Sequence, residues 1–167
     1  MRTASLMTIC AWCGAILKPS EPSFVTHGMC PKCQVAFVGG PGPVSLREFI
    51  GRFEFPIMLV NSNVELIEAN QRALEFFGKE RDEIEGQLGG EVMECIHARR
   101  PGGCGKTVHC KACAIRNSVK ATHETGRPLI DVESYQEIMT EDGLKRVHLR
   151  ISTAKTADSV LLKIVAA

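Results

Sequence analysis

The fold is decided by residues 67–78, IEANQRALEFFG, where a strand passes directly into a helix. Asn70 is of the type that begins helices, because its side-chain oxygen accepts a hydrogen bond from a backbone N–H of the first turn. Gly78 is of the type that ends them, because glycine adopts the left-handed conformation without steric cost. The sequence therefore predicts a helix that is capped by Asn70, runs to Phe77 and stops at Gly78.

An amphipathic helix is predicted ahead of this stretch. Ser45 and Glu48 have the spacing of a capping box, in which each side chain bonds to the backbone N–H of the other residue. Apolar residues follow at helical intervals as far as Phe53, and Pro56 is expected to end the helix. One face of this helix is therefore expected to be buried.

Five strand-like runs complete the pattern. They are residues 56–60, 64–67, 129–139, 145–153 and 159–165. The first two form a hairpin across the turn 61–63, and the turn 141–143 joins the third to the fourth. A further helix is predicted over residues 111–125, whereas residues 83–105 are Gly-rich and give no clear pattern. The order is typical of an α+β fold, with helices packed on one antiparallel sheet.

This order resembles the PAS sensor fold, and so do the residues of the opening stretch. PAS domains carry a similar Asn-x-x-Ala helix that ends in Phe-Gly, and a similar Glu-hydrophobic-x-Gly step after it, here residues 83–86, EIEG. The resemblance covers roughly residues 46–167 and implies a five-stranded antiparallel sheet of order 2-1-5-4-3, with helices on one face. It also implies a role in sensing or dimerisation, but it does not fix the ligand.

Two cofactors of better-known PAS sensors find little support. The sequence lacks the Asn-Cys-Arg-Phe run of flavin photosensors. A haem-type histidine is conceivable at His123 alone, and a single histidine near a helix end is ordinarily solvated or paired with the helix dipole. We therefore expect neither flavin nor haem.

Four cysteines near the N-terminus have the spacing C-x2-C-x16-C-x2-C; they are Cys10, Cys13, Cys30 and Cys33. Each C-x2-C turn points two sulfurs at one centre, and four thiolates with no open position suit structural zinc better than a single iron, although the ligands permit both. His27 could replace a ligand, but we expect it to pack or donate from outside the ligand set. The segment resembles zinc-ribbon-like pieces found beside sensor domains in bacterial signalling proteins. We predict a metal module over residues 1–38, a linker over 39–44 and a PAS-like sensor domain over 45–167.

Four further cysteines lie inside the predicted sensor domain with the spacing C-x8-C-x5-C-x2-C; they are Cys95, Cys104, Cys110 and Cys113. They occupy the region that normally walls a PAS ligand pocket. Six Lys or Arg residues and no acid lie between residues 96 and 123, so we expect lowered thiol pKa values and a stabilised thiolate cluster. Cys110 and Cys113 are also expected at a helix N-terminus, where the dipole adds to this effect.

Three interpretations of this second quartet stay open. An iron–sulfur cluster suits four thiolates with amide donors nearby, although PAS sensors with such clusters usually carry two C-x2-C pairs and this spacing differs. A zinc ion suits the same cysteines, with His97 or His109 as an alternate ligand. Reactive thiols that form disulfides would instead make a redox switch.

Composition and charge narrow the function. Hydrophobic residues make up 44% of the 167 residues, enough for a packed core, and the net charge of +1 creates no bulk attraction to nucleic acid or membrane. There is neither a membrane-spanning apolar run nor a signal peptide, which favours the cytoplasm, where thiols stay reduced. Residues 101–107, PGGCGKT, look like the end of a phosphate-binding P-loop, but Arg100 stands where that motif needs glycine. We therefore expect no enzyme.

These features lead to one hypothesis and two alternatives. We expect a cytoplasmic sensor or adaptor that forms a homodimer through its sensor domain and passes the state of its metal or cluster to a downstream signalling protein such as a kinase. Helix 45–53 is expected to pack on the sheet or to form the dimer contact. The first alternative is a zinc-stabilised interaction module with no sensing role. Nucleic-acid binding through the N-terminal cysteine module and the basic residues 99–120 is the weaker alternative, because few aromatic residues are available for stacking.

Overall fold

The computed structural model describes residues 7–19, 25–38 and 45–167. The chain divides into two compact units, Met1–Phe53 and Glu54–Ala167. The predicted linker, residues 39–44, lies outside the described residues, and so does the side chain of His27. Within the described ranges, no helix combines the length and the apolar character that crossing a membrane requires.

The first unit is built on a small three-stranded sheet. Its central strand β1 (Met7–Cys10) pairs antiparallel with β2 (Ile16–Lys18) and parallel with β3 (Val25–Gly28). Helix α1 (Pro31–Val38) follows β3 along the chain, and α2 (Leu46–Gly51) comes next. The parallel pairing brings the C-terminal ends of β1 and β3 side by side.

Helix α2 begins with the predicted capping box. The Glu48 N–H donates to Ser45 Oγ at 3.2 Å, and the Ser45 N–H donates to the Glu48 carboxylate at 2.8 Å. The donors of Ser45 hold the pKa of Glu48 below its ordinary value. The helix ends at Gly51, earlier than predicted, because the Phe53 N–H bonds to the Ile50 carbonyl at 3.3 Å in a tighter three-residue turn.

The second unit contains a five-stranded antiparallel sheet. Its strands are β4 (Ile57–Val60), β5 (Leu66–Ala69), β6 (Leu129–Thr140), β7 (Gly143–Thr156) and β8 (Ser159–Ala166). The spatial order β5-β4-β8-β7-β6 is 2-1-5-4-3 when the strands are numbered within this unit. The expected α+β class and strand order are confirmed.

The second strand of the hairpin starts later than predicted. Val64 has a φ of 63°, the left-handed region, and its N–H bonds to the Asn61 carbonyl at 3.0 Å. Because this conformation continues the turn, the strand begins at Leu66 and extends to Ala69.

Helices cover the sheet in the second unit. They are α3 (Gln71–Phe77), α4 (Arg81–Ile84), α5 (Gly89–Val92), a 3-10 helix (Val108–Ala112) and α6 (Ala114–Thr125). Helices α4 and α5 are short, and both extend into the Gly-rich region 83–105, for which no element is predicted. The helix predicted over residues 111–125 is divided, since its first residues belong to the 3-10 turn and α6 starts after Cys113.

Asn70 ties the start of α3 to the start of β4. Its Oδ1 accepts hydrogen bonds from the N–H groups of Ala73 at 2.9 Å and Ile57 at 3.1 Å. Its Nδ2 donates to the Phe55 carbonyl at 2.9 Å, and the residue is 3% exposed. Asn70 is therefore both the predicted helix cap and a tertiary link between α3 and β4. Gly78, with a φ of 62°, ends the same helix, as predicted.

A contiguous apolar core lies between one face of this sheet and the helices. The sheet contributes fully buried side chains such as Val60, Ile151 and Leu162, and the helices contribute Ile84 and Val119. Each such side chain stabilises the fold by about 1.5–3 kcal/mol relative to its exposed state. The second unit therefore has a hydrophobic core of its own.

Candidate functional site

The first cysteine quartet is positioned by the parallel strands β1 and β3. Cys10 ends β1 beside Gly28 of β3, so the turns that follow the two strands are neighbours. The first turn closes through the Gly14 N–H, which bonds to the Cys10 carbonyl at 2.9 Å, and Gly14 has a φ of 76° that favours glycine. Cys30 precedes α1, and Cys33 lies in its first turn.

The four sulfur atoms of this quartet lie within 4.8 Å of one another. The Sγ atoms of Cys13 and Cys30 are 3.6 Å apart. A tetrahedral zinc ion with Zn–S bonds of about 2.3 Å keeps its sulfurs about 3.8 Å apart. The quartet therefore fits a single metal ion, and its cysteines are all free of disulfides.

Backbone amides and burial set the acidity of these thiols. Although burial raises it, backbone N–H donors of Cys13, Cys30 and Trp12 lower the pKa of Cys10 to about 6. Burial and the neighbouring cysteines raise the pKa of Cys33. One thiolate thus forms readily, while a cation at the centre would favour the others, because it replaces repulsion between sulfurs by attraction.

The site is closed on most sides. Cys10, Cys30 and Cys33 are buried, and Cys13 is exposed. Trp12, which lies between the two cysteines of the first C-x2-C turn, is also buried, at 3% exposure. A four-sulfur centre with three buried cysteines and no open position is typical of a structural metal site.

The second quartet surrounds a cavity of about 350 Å³ in the second unit. The backbone of Cys95 forms an isolated antiparallel β-bridge with Ile138 of β6. Cys110 lies in the 3-10 helix, and Cys113 is the N-cap residue of α6. A Cβ added to Gly90 would lie 2.8 Å from Cys104 Sγ, so glycine is needed for this approach. All four cysteines line the cavity, but among the described residues only the first quartet gathers its ligand atoms within 4.8 Å.

The polar groups around the second quartet act on individual sulfurs. Cys110 Sγ accepts hydrogen bonds from the Gly105 N–H and pairs with Thr107 Oγ1, both at 3.2 Å. Although burial raises it, these donors lower the pKa of Cys110. Arg116 Nη2 lies 3.7 Å from Cys104 Sγ as a donor.

The expected lowering of thiol pKa values is wrong for Cys113. Burial raises the pKa of this thiol, and the nearby Cys104 and Cys110 raise it further. The basic residues of the segment are too exposed to overcome this desolvation. Cys113 caps α6 as expected, whereas Cys110 lies one turn earlier, inside the 3-10 helix.

Two histidines line the same cavity. The rings of His97 and His109 stack with centroids 4.1 Å apart and planes 11° from parallel. Among the described residues, His97 Nδ1 is buried with no hydrogen-bond partner, and Nε2 lies 3.8 Å from the Glu137 carboxylate. Burial, followed by the charges of His109 and Arg100, lowers the pKa of His97. A neutral imidazole nitrogen is the form that binds metal ions.

His123 lies elsewhere. Its Nε2 is 3.2 Å from the Asp158 carbonyl, near the exposed end of α6, and it does not line the cysteine cavity. Its observed partner is therefore a carbonyl outside α6.

Sequence reasoning missed the strand residues that close the cavity. Gln136 of β6 and Arg146 of β7 line it together with Glu137. Gln136 is 7% exposed and its Nε2 donates to Ser134 Oγ at 2.9 Å. Polar residues at alternating positions of a strand, here 134 and 136, can indicate a polar pocket on the inner face of a sheet.

Solved structures share this fold, although no protein-family model and no curated protein matches the sequence. The PAS domain of nitrogen regulation protein NR(II) from Vibrio parahaemolyticus is 12% identical, with a TM-score of 0.50 over 74% of this chain and 100% of that chain. The Rhodobacter sphaeroides LOV protein is 15% identical, with a TM-score of 0.48 over 72% of this chain and 63% of that chain. The PAS domain from Bordetella pertussis BvgS is 14% identical, with a TM-score of 0.47 over 81% of this chain and 87% of that chain.

At 12% identity, the likeness to the Vibrio domain is one of fold alone. It agrees with the sheet order and with the helices that cover one face. The chain has the fold of a PAS domain, together with a four-cysteine cluster near its N-terminus that could hold a metal ion.

Proposed function

We propose that this chain is a cytosolic sensor or adaptor without catalysis, whose PAS-like unit holds a cysteine-ligated iron–sulfur cluster and reports its state to a partner. The observation that carries the proposal is the convergence of Cys95, Cys104, Cys110 and Cys113 on one cavity of about 350 Å³. These cysteines come from separate loops and helix ends, so their meeting is a product of the tertiary fold. A cavity that collects four thiols inside a sensor fold suits a soft metal centre.

The two quartets have different occupants in this proposal. The first has the sulfur spacing of a single ion and is assigned structural zinc. In the second, no such close group forms among the described residues. A cluster of several iron atoms holds its cysteine sulfurs farther apart than one ion does, so the wider arrangement favours a cluster.

The donors around the second quartet support this assignment. The Gly105 N–H and Thr107 hydroxyl reach Cys110 Sγ, and Arg116 reaches Cys104 Sγ. Hydrogen bonds to cluster sulfurs and burial tune reduction potentials in iron–sulfur proteins. A bound cluster would supply one-electron redox chemistry and sensitivity to oxidants.

Helix α6 is the route from the cavity to the sheet. Cys113 is its N-cap, and Ile115 and Val119 bury its inner face in the core. Near its end, Thr122 Oγ1 and Thr153 Oγ1 of β7 lie 2.6 Å apart and are fully buried. In this proposal, a shift of Cys113 moves a packed helix and so acts on β7 of the sheet.

The signal would leave the protein through association. We propose a homodimer formed through the sensor unit and a downstream signalling protein, such as a kinase, as the receiver. Neither association needs catalysis by this chain.

A zinc-stabilised interaction module is the second candidate, and the stacked histidines favour it. His97 Nδ1 is buried and unpartnered among the described residues, and it lines the same cavity as the cysteines. One or two imidazoles with nearby thiolates would complete a tetrahedral zinc site. Both quartets would then be structural.

Metal analysis with an absorbance spectrum, on protein purified without oxygen, tests the proposal. We expect zinc at about one per chain together with iron, sulfide and a broad band at the violet end of the spectrum. Cys113→Ser should remove the iron and the band but keep the zinc. Its matched control, Cys33→Ser, should remove the zinc but keep the band.

Other results would contradict this function. Zinc at about two per chain with no colour would establish the structural alternative. Zinc at about one per chain, with reversible disulfides among Cys104, Cys110 and Cys113, would replace the cluster by a thiol switch.

A further inference from the structure

The charge of the second unit is strongly uneven. Residues 96–123 contain six basic residues and no acid. They are Arg99, Arg100, Lys106, Lys111, Arg116 and Lys120. The other 14 basic residues stand against all 19 acidic ones, a net charge of −5 for the rest of the chain. The near-neutral total therefore hides one basic segment in an otherwise acidic protein.

Most of these cations have no carboxylate partner among the residues that the structure describes. Arg99 pairs with Glu94 at 2.7 Å. For the other five, no carboxylate of the described residues lies within 4.0 Å. By contrast, Arg72 of α3 pairs with a glutamate at 3.3 Å and Lys145 of β7 with Asp142 at 2.7 Å. Among the described residues, cations without a carboxylate partner also occur elsewhere, for example Lys18, Arg127 and Arg150, so the segment is distinguished by its lack of acids.

Three of the unpaired cations line one groove. Lys111, Arg116 and Lys120 face a depression of about 590 Å³ between the exposed side of α6 and the turn at Asn63. Lys111 and Lys120 are exposed and Arg116 is half-buried. Cys110 and Arg116 line both this groove and the cysteine cavity, so the two spaces share a wall.

We propose that this groove is the docking surface for an acidic, Asp- or Glu-rich segment of a partner protein. The proposal rests on the sensor function above in one respect, since it makes the groove the place where the state of the cavity is read. Charge complementarity identifies the occupant: Lys111, Arg116 and Lys120, none with a carboxylate partner among the described residues, line the same groove. Among the described residues that line the groove there is no Phe, Tyr or Trp, so bases would find none of these rings to stack on.

Arg116 couples the groove to the cavity. Its Nη1 donates to Asn63 Oδ1 at 2.9 Å, while its Nη2 points to Cys104 Sγ at 3.7 Å. A carboxylate in the groove competes for this guanidinium and weakens its contact with the sulfur. Binding is reciprocal: if peptide binding in the groove changes the affinity of the cavity for its cluster by some factor, the cluster changes the affinity of the groove for the peptide by that same factor.

Fluorescence anisotropy with a labelled oligoglutamate peptide tests the groove, using the full chain purified without oxygen at low ionic strength. The test variant combines Lys111→Glu and Lys120→Glu. The matched control combines Arg72→Glu and Lys145→Glu, which changes the net charge equally at exposed positions outside the groove. We expect the test variant to weaken binding about tenfold or more, because two attractions become repulsions, and the control to change it less than about twofold.

Three results would overturn the proposal. Equal losses in the two variants would mean that the peptide senses only net charge. A labelled DNA duplex that binds more tightly than the peptide, and is lost in the test variant alone, would make the occupant a nucleic acid. A mass that doubles at low ionic strength in the wild-type chain and the control but not in the test variant would make it a second copy of this chain.

The same samples separate this proposal from the sensor function. The iron and sulfide contents of the wild-type chain and of the Lys111→Glu/Lys120→Glu variant are measured alongside, because Lys111 is adjacent to Cys110 and loss of the cluster must be distinguished from loss of docking. If the wild-type chain holds no cluster and the peptide still distinguishes the two variants, the docking groove stands and the sensor function falls. If the cluster is present and the peptide does not distinguish them, the reverse holds.

Discussion

The two cysteine quartets are held in place in different ways. Among the described side chains of residues 7–38, those that are buried are Ala11, Trp12 and three cysteines of the first quartet, so sulfurs make up most of this small interior. The second quartet lines a cavity beside an extensive apolar core. A quartet that replaces a core needs its ion to fold, whereas a quartet placed on a core can exist in filled and empty states. The difference separates a structural site from one suited to sensing.

Removal of the first metal should give the largest effect. Small zinc modules gain about 10–16 kcal/mol of apparent free energy from their ion, which is also their folding free energy. We expect Cys33→Ser or a strong chelator to abolish the chemical-shift dispersion of the backbone NMR signals of residues 7–38. The signals of Ile57–Ala166 should stay dispersed, because that unit keeps its core.

The control is Cys113→Ser, which should leave residues 7–38 dispersed. Dispersed signals from residues 7–38 in chelated Cys33→Ser protein would break the comparison, since the first unit would then fold without its metal.

Loss of the Asn70 link should destabilise the second unit by about 2–4 kcal/mol. Asn70→Ala removes two accepted bonds and one donated bond at a buried position. Urea denaturation measures the change in the free energy of unfolding, and a chelator should not alter that change. Asn117→Ala, which removes one exposed bond to the Lys111 carbonyl, should cost less than about 0.5 kcal/mol. Equal costs would mean that Asn70 is only a local cap.

The buried hydroxyl pair of Thr122 and Thr153 should contribute less than Asn70 to the free energy of unfolding. Thr122→Val leaves the Thr153 hydroxyl buried without its partner at 2.6 Å and should cost about 1–3 kcal/mol. The double variant with Thr153→Val should recover part of this loss, because neither unsatisfied group remains. Additive losses in urea denaturation would show that the two hydroxyls act independently.

The smallest effect is expected at Gly78. Its φ of 62° penalises any side chain, and a Cβ there would meet nothing within 4 Å, so Gly78→Ala measures backbone strain alone, about 1 kcal/mol. Gly51→Ala is the matched control, because Gly51 has equal space and no positive φ. A Gly78→Ala protein as stable as the wild type would contradict the assigned left-handed cap.

The sequence predicts those features that a few neighbouring residues determine. The caps at Ser45, Asn70 and Gly78 and the first cysteine quartet have local rules, and each appears where expected. The predicted strand 64–67 includes Val64, but the turn before it extends further and places Val64 at a φ of 63°. Propensity here yields to the geometry of the hairpin.

The cavity could not be predicted from residues that are neighbours in the sequence. Its walls meet because Cys95 bridges to Ile138 and because Gly90 leaves space for Cys104. These contacts join residues far apart in the chain or depend on the absence of a side chain. Spacing alone therefore identified the second quartet but could not distinguish a close group of sulfurs from a ring around a cavity.

The pairing of residues 94–96 with β6 has a consequence for solubility. β6 is an outermost strand of the sheet, and backbone groups on such a strand invite pairing with another chain. The Ile96 N–H bonds to the Glu137 carbonyl and the Met139 N–H to the Glu94 carbonyl, each at 2.9 Å. Residues 94–96 therefore cover part of the free edge of β6. Because Cys95 lies at the centre of the segment, a change in the cavity that displaced it would also uncover a strand able to seed aggregation.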